Sequence, residues 1–276
     1  MTRSVIGSFA IVLVGWLVCL SAQSVAGANV VNDSTSTIGI DEPQPSQAKW
    51  STSAVHVFSR FSSGRPAWRT DAVAVRRHVP RRSTYAVELG LVGRHGEDDP
   101  FIALDMYRNF GSHTYGNLRL GVSPGARVIP RSDIFLEVFH GPGNGWEFSA
   151  GYRRADYVNS GANTWLVGAG KYIGNWYLRA RQSATQVGGS MGYAILGTVR
   201  RYFGASDEFV GLTVAKGREI VAFPGTTSIE ARNSFSGSIF YQRSIGRGAG
   251  IRVGLEGVDD GDLSRWGVTT GVLWNW

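Results

Sequence analysis

Histidine is the side chain best suited to move protons near neutral pH, and the chain has five: His56, His78, His95, His113 and His140. Only His95 has acids close behind it, at Glu97, Asp98 and Asp99. A carboxylate beside an imidazole can orient it as a general base. A hydrolase would also need a nucleophile, and a candidate such as Ser149 is far along the chain, with no spacing that brings it to His95. The same acids could offer oxygen to Ca²⁺, but they lack the repeated Asp/Asn ladder and glycine of a calcium loop. The glycines between 168 and 174 contain no Gly-x-Gly-x-x-Gly run and no phosphate-loop Lys–Ser/Thr, so strand packing and a turn account for them. The single cysteine, Cys19, falls in an expected targeting segment, which removes thiol, disulfide and redox chemistry from the mature chain. No catalytic residue, metal or cofactor is expected.

A second set of polar residues is more informative, because each member interrupts an apolar run. The set is His56, Arg60, Glu88, Asp105, Tyr107, Arg119, Glu137, Glu147, Arg153, Arg179, Arg181, Arg200, Arg252 and Glu256. Around most of them the sequence alternates with a period of two, which puts successive side chains on opposite faces of a strand. Ile134, Leu136 and Val138 oppose Phe135, Glu137 and Phe139. Trp146, Phe148, Ala150 and Tyr152 oppose Glu147, Ser149, Gly151 and Arg153. A charge in such a strand is costly against lipid and cheap against water, so these residues are assigned to a barrel lumen. Basic members outnumber acidic ones. They could form a positively biased pore that draws in anionic solutes, or a plug of ion pairs bracing the wall.

Composition agrees with a membrane β-barrel. Glycine is 37 of 276 residues, about twice the usual share. Aromatics make up 12% and charges only 18%, which argues against a disordered chain. A mean hydropathy of −0.08 excludes a stack of membrane helices. Fourteen alternating runs are counted, near 51–62, 66–78, 83–94, 100–109, 113–122, 132–140, 145–155, 162–172, 175–184, 190–203, 207–216, 232–244, 248–257 and 265–276, with twelve strands as the alternative count. With the N-terminus in the periplasm, the intervening turns on that side are tight. The opposite loops, including 95–99, 123–131 and 217–231, are mostly longer, which is the bacterial pattern. Loop 217–231 is long enough to fold inward.

The first 28 residues read as a cleaved signal peptide, with Arg3, an apolar run from Val5 to Leu20, and Ala26–Gly27–Ala28 as the cleavage site. Residues 29–48 read as a flexible periplasmic leader, and 49–276 as one barrel domain. The chain ends Thr269–Thr270–Gly271–Val272–Leu273–Trp274–Asn275–Trp276. Gly271, Trp274 and Trp276 stand where the barrel-assembly machinery reads a final strand, whose edge is unpaired until closure.

Several phrases resemble the YaiO family of outer-membrane barrels: Leu104–Asp105–Met106–Tyr107, Gly145–Trp146–Glu147–Phe148–Ser149–Ala150–Gly151–Tyr152–Arg153, Gly170–Lys171–Tyr172–Ile173–Gly174–Asn175–Trp176, and Arg200–Arg201–Tyr202–Phe203–Gly204. The resemblance implies a Gram-negative outer-membrane barrel, often associated with surface polysaccharide machinery. Some relatives carry tetratricopeptide repeats ahead of the barrel, and no such repeat is seen before Lys49. The leading expectation is a monomeric passive channel or export pore linked to polysaccharide or small anionic solutes. Its expected contacts are outer-membrane lipid, lipopolysaccharide, the assembly machinery and polysaccharide, with no nucleic acid. A non-conducting structural barrel is the second reading, and a lipid-modifying enzyme using His95 or another histidine is the third.

Overall fold

The computed structural model describes residues 49–276 except 63, 80, 81, 204–207, 223–228, 247, 262 and 263. The expected signal peptide and leader lie outside the described residues. Fourteen strands succeed one another: β1 (Lys49–Phe61), β2 (Trp68–Val79), β3 (Ser83–Arg94), β4 (Glu97–Asn109), β5 (Thr114–Val122), β6 (Ser132–Gly143), β7 (Trp146–Asp156), β8 (Gly161–Ile173), β9 (Trp176–Val187), β10 (Ser190–Tyr202), β11 (Phe209–Ala222), β12 (Ile229–Gly246), β13 (Ala249–Asp259) and β14 (Ser264–Asn275). Each pairs antiparallel with the next, and β1 pairs with β14 to close the barrel. The count is fourteen, and twelve is set aside. No described helix is long and apolar enough to cross a membrane.

Closure depends on the last residues. The Trp50 N–H donates to the Trp276 carbonyl and the Trp276 N–H donates to the Trp50 carbonyl, both at 2.9 Å. The two indoles stack with centroids 5.8 Å apart. Every strand then has two neighbours, and no edge is left to template aggregation.

The period-two pattern becomes two surfaces. Outward positions are mostly apolar and open, with Leu89 57%, Ile195 62% and Val272 58% exposed. Water would penalise such a surface, whereas hydrocarbon would not. Trp50, Trp146, Trp176 and Trp274 ring the end that holds the termini, and Trp165, Tyr193 and Trp266 ring the other, as interfacial aromatics do. Lys171 and Arg201 lie over Trp146 and Trp176, with the charged groups 4.4 and 5.5 Å from the ring centres. Inside, rings lie flat over glycines of the next strand: a Cβ at Gly254 would stand 2.5 Å from the Phe240 ring.

Two connections differ from expectation. The loop foreseen at 95–99 is a two-residue turn, because His95 (φ 54°) and Gly96 (φ 83°) both adopt the left-handed conformation that closes a tight hairpin. Glu97, Asp98 and Asp99 therefore belong to β4. The loop foreseen at 217–231 is shortened by the longer β11 and β12, and its middle, with Phe223 and Pro224, lies outside the described residues.

Candidate lumenal site

At the end away from the termini, residues 123–131 fold into the barrel mouth. Ala126 is 0% and Ile129 1% exposed, and with Val128 they pack on Val92 and Phe101 of the inner wall. Asp99 is the latch. Its carboxylate accepts backbone N–H groups from Arg127 at 2.9 Å, Val128 at 2.6 Å and Ile129 at 3.0 Å. The Ser123 hydroxyl also donates to the Pro100 carbonyl. Arg127 pairs with Glu97 at 2.8 Å, and Asp98 with Arg69 at 2.7 Å. The three acids after His95 are thus occupied in structure. His95 meets Trp68 edge-on at 5.5 Å. Burial, aided by Arg94 and Arg65, holds its imidazole below its usual pKa.

Beside this loop, Trp68 lies between two guanidiniums, Arg94 at 4.7 Å and Arg265 at 4.8 Å from its ring centre. They bound a cavity of about 20 Å³, also lined by Ser59, Arg69 and Glu256, which is room for one water. Among the described residues, the Trp68 Nε1 and Arg265 Nη2 atoms beside this cavity have no hydrogen-bond partner.

Deeper in, acids and arginines from different strands meet. Arg119 on β5 pairs with Glu88 on β3 at 3.0 Å and with Asp105 on β4 at 3.4 Å, and Asn117 donates to Asp105 at 2.7 Å. Arg153 grips Asp133 through two nitrogens at 2.7 and 3.1 Å. Arg179 on β9 reaches Glu137 on β6 and the Ser149 hydroxyl. Glu147 accepts the phenol O–H groups of Tyr115 at 2.6 Å and Tyr177 at 2.7 Å. Low polarity makes such fully satisfied sets strong and broken ones costly.

Elsewhere on the inner wall the balance changes. Arg181 is 7% and Arg200 9% exposed, both on the inner face. Neither has an ion pair or hydrogen bond among the described residues. Arg200 is held by ring faces, 5.8 Å from Tyr177 and 5.5 Å from Phe209. Arg252 donates Nε and Nη2 to the neutral Gln242 amide oxygen at 2.9 and 2.6 Å. Glu256, nearer the mouth, accepts from Ser59 at 3.1 Å and lies 3.7 Å from Arg265.

Two residues assigned to the lumen lie elsewhere. His56 and Arg60 are exposed on the outer face, while Ser59 and Phe61 point inward. The reason is pairing: Ser59 is drawn to Glu256 inside, and Phe61 packs on Trp68 inside, edge-on at 4.8 Å. His56 Nδ1 instead meets Asp71 across the strands at 2.6 Å, each side chain about half exposed. Glu88, Asp105, Tyr107, Arg119, Glu137, Glu147, Arg153, Arg179, Arg181, Arg200, Arg252 and Glu256 do stand on the inner face. Arg76, Arg94, Asp99, Asp133 and Arg265 join them, unforeseen. Asp133 and Arg265 continue the parity of Glu137 and Thr269, so they could have been read. Arg76 could not, because both faces of β2 carry charge. The described residues hold no group of three or more His, Cys, Asp or Glu arranged for a metal.

A closed antiparallel barrel with an apolar, aromatic-girdled outside and a charged inside is an outer-membrane β-barrel of a Gram-negative bacterium. The YaiO membrane β-barrel domain model matches residues 49–220, and the chain belongs to that family. Among solved structures, the Acinetobacter baumannii outer-membrane protein Omp33 superposes with a TM-score of 0.51 at 10% identity, over 83% of this chain and 99% of that one. OpdO of Pseudomonas aeruginosa gives 0.48 at 6% identity over 83% and 96%. The NalP translocator domain of Neisseria meningitidis gives 0.46 at 10% identity over 95% and 96%. At these identities the Omp33 likeness bears on fold alone, and the other two carry no argument. No curated protein matches in sequence.

Proposed function

We propose that this protein is a passive outer-membrane channel for small anionic solutes, with the acidic sugars of surface polysaccharide as a natural cargo class. One observation carries the reading: the uneven pairing of charge along the lumen. In a plug of ion pairs each buried guanidinium would have its acid, since an unpaired buried charge costs several kcal/mol. Arg119, Arg153 and Arg179 meet that condition, whereas Arg181 and Arg200 do not. A wall that keeps excess positive charge favours anions along the path. The inward loop 123–131 narrows the mouth and so limits the cargo to small or extended chains. Gly271, Trp274 and Trp276 serve the assembly machinery, and exposed arginines near the rim meet lipopolysaccharide phosphates.

The test is ion selectivity in planar bilayers. Arg181→Glu and Arg200→Glu should each move the reversal potential toward cation preference. Unchanged selectivity in both would remove that wall from any conducting role. A non-conducting structural barrel is the second reading, favoured by the hydrogen-bonded inward acids Glu88, Glu137 and Glu147. It predicts no current, and a large stability loss for Glu137→Leu.

A further inference from the structure

We infer that the outer wall built by β14, β1 and β2 is an interface with a second copy of this chain, keyed by His56 and Asp71. It concerns the face turned to lipid, and so applies equally to a conducting and to a silent barrel.

His56 and Asp71 stand opposite each other in the β1–β2 register, with Nδ1 and Oδ1 2.6 Å apart. Their side chains are 50% and 52% exposed, so half of each remains open to the surroundings. The outward residues around them include Ala54 and Phe58 on β1, Val73 on β2, Leu91 on β3 and Thr270 on β14. Thr270 is the partner of His56 in the β1–β14 register and lies four residues from Trp266 and four from Trp274. Those two indoles mark the ends of the lipid-facing band on β14, so His56 sits deep within it. Two residues beyond Asp71, Arg69 is bonded to Asp98 at 2.7 Å, and that rim pair satisfies itself. Polar atoms turned to hydrocarbon without partners cost several kcal/mol each. Neither His nor Asp has the length by which Lys and Arg reach back to interfacial water.

Within hydrocarbon the pair holds no net charge, either as an ion pair or as a neutral imidazole beside a carboxylic acid. In both states one proton lies between Nδ1 and Oδ1, Nε2 carries a hydrogen, and Oδ2 is a bare acceptor. Among the described residues neither Nε2 nor Oδ2 has a partner. The wall therefore presents one donor and one acceptor side by side. Being register partners on strands tilted about 40°, they differ in height by only about 3 Å. A two-fold axis along the membrane normal preserves height and exchanges left for right. It brings the Nε2–H of each copy to the Oδ2 of the other, the self-complementary match of an isologous interface. Ala54 and Thr270 flank the pair, and such small side chains let two membrane surfaces approach closely. An acyl chain offers neither donor nor acceptor, so a second copy supplies what lipid withholds.

The experiment transfers the protein from outer membranes into liposomes at graded protein-to-lipid ratios, with one fluorophore on its terminal amine. Copies are then counted by single-molecule photobleaching. The wild type should pass from one copy to two as the ratio rises. Combining His56→Leu with Asp71→Val should lower the association constant at least about tenfold, as expected for losing two reciprocal hydrogen bonds in a membrane. The barrel itself should still fold, because it no longer holds a polar pair against lipid, and heat-modifiable gel mobility checks this. Combining His56→Asp with Asp71→His keeps one donor and one acceptor on each wall, so it should restore pairing. Val167→Leu, outward on β8 across the barrel, should leave association unchanged. A wild type that stays single at every ratio would overturn the inference. So would a double variant that associates as well as wild type, or a folded exchanged chain that stays single. A lipopolysaccharide or an unlike protein held by single wild-type copies and released by the double variant would also overturn it, by giving the face a different occupant.

Discussion

Replacing Asp99 by Asn tests whether loop 123–131 is latched or merely rests in the mouth. The Asp99 carboxylate collects N–H groups from three consecutive loop residues, at 2.6 to 3.0 Å, and is 3% exposed. A hydrogen bond to a charged acceptor contributes about 1.5–3 kcal/mol. The amide keeps one oxygen acceptor and loses the charge, and its NH₂ group is turned toward backbone donors. A net loss of about 3 kcal/mol is therefore expected, short of the sum because Ala126, Val128 and Ile129 still pack on Val92 and Phe101. That loss raises the open population of the loop about a hundredfold. Hydrogen exchange at the amides of residues 126–129 reads this directly. Trypsin cleavage after Arg127, which is exposed and follows a buried Ala126, reads it on intact cells. Exchange within about twofold of wild type would refute the latch.

Three further outcomes follow from the geometry. The His56–Asp71 pair faces outward among lipid-facing residues, so replacing both by Leu and Val should be neutral or stabilising by about 1–4 kcal/mol in bilayers, while Asp71→Val alone should destabilise; urea titration of the three proteins checks this. His95 has a depressed pKa when folded, so the unfolded chain takes up its proton first as the pH falls below about 6.5. Stability should therefore drop between pH 7.5 and 5.5, and His95→Asn, which tolerates the positive φ, should flatten that part of the melting profile. Gly90→Ala would place a methyl against the Phe101 ring and 2.7 Å from the Asp71 carbonyl, costing about 1–3 kcal/mol and loosening the mouth loop that rests on Phe101.

The barrel was legible because alternation is a local property. Where one face is apolar through the middle of the strand, as at Ile134, Leu136 and Val138 of β6 and Trp146, Phe148, Ala150 and Tyr152 of β7, the parity of Glu137, Glu147 and Arg153 follows from the sequence alone. In β1 both faces mix polar and apolar residues. There the choice between His56 and Ser59 is made by Glu256 and Trp68, partners far away in sequence. Asp99 was misplaced for a different reason: His95 takes a left-handed conformation that a histidine seldom adopts, which shortens the turn and draws the acid into β4. Pairs such as Arg179 with Glu137 join β9 to β6 across two intervening strands. Barrel stagger decides which residues share a level, and no sequence pattern records it. The inward course of loop 123–131 was equally hidden, because its apolar residues, Ala126, Val128 and Ile129, are few and sit among turn formers.

The most direct test of the channel reading is the reversal potential of the purified, refolded barrel in a planar bilayer under a potassium chloride gradient. Discrete current steps that reverse on the chloride side of zero are the predicted result. A silent bilayer from protein shown to be folded, or a current that reverses on the potassium side, would contradict it.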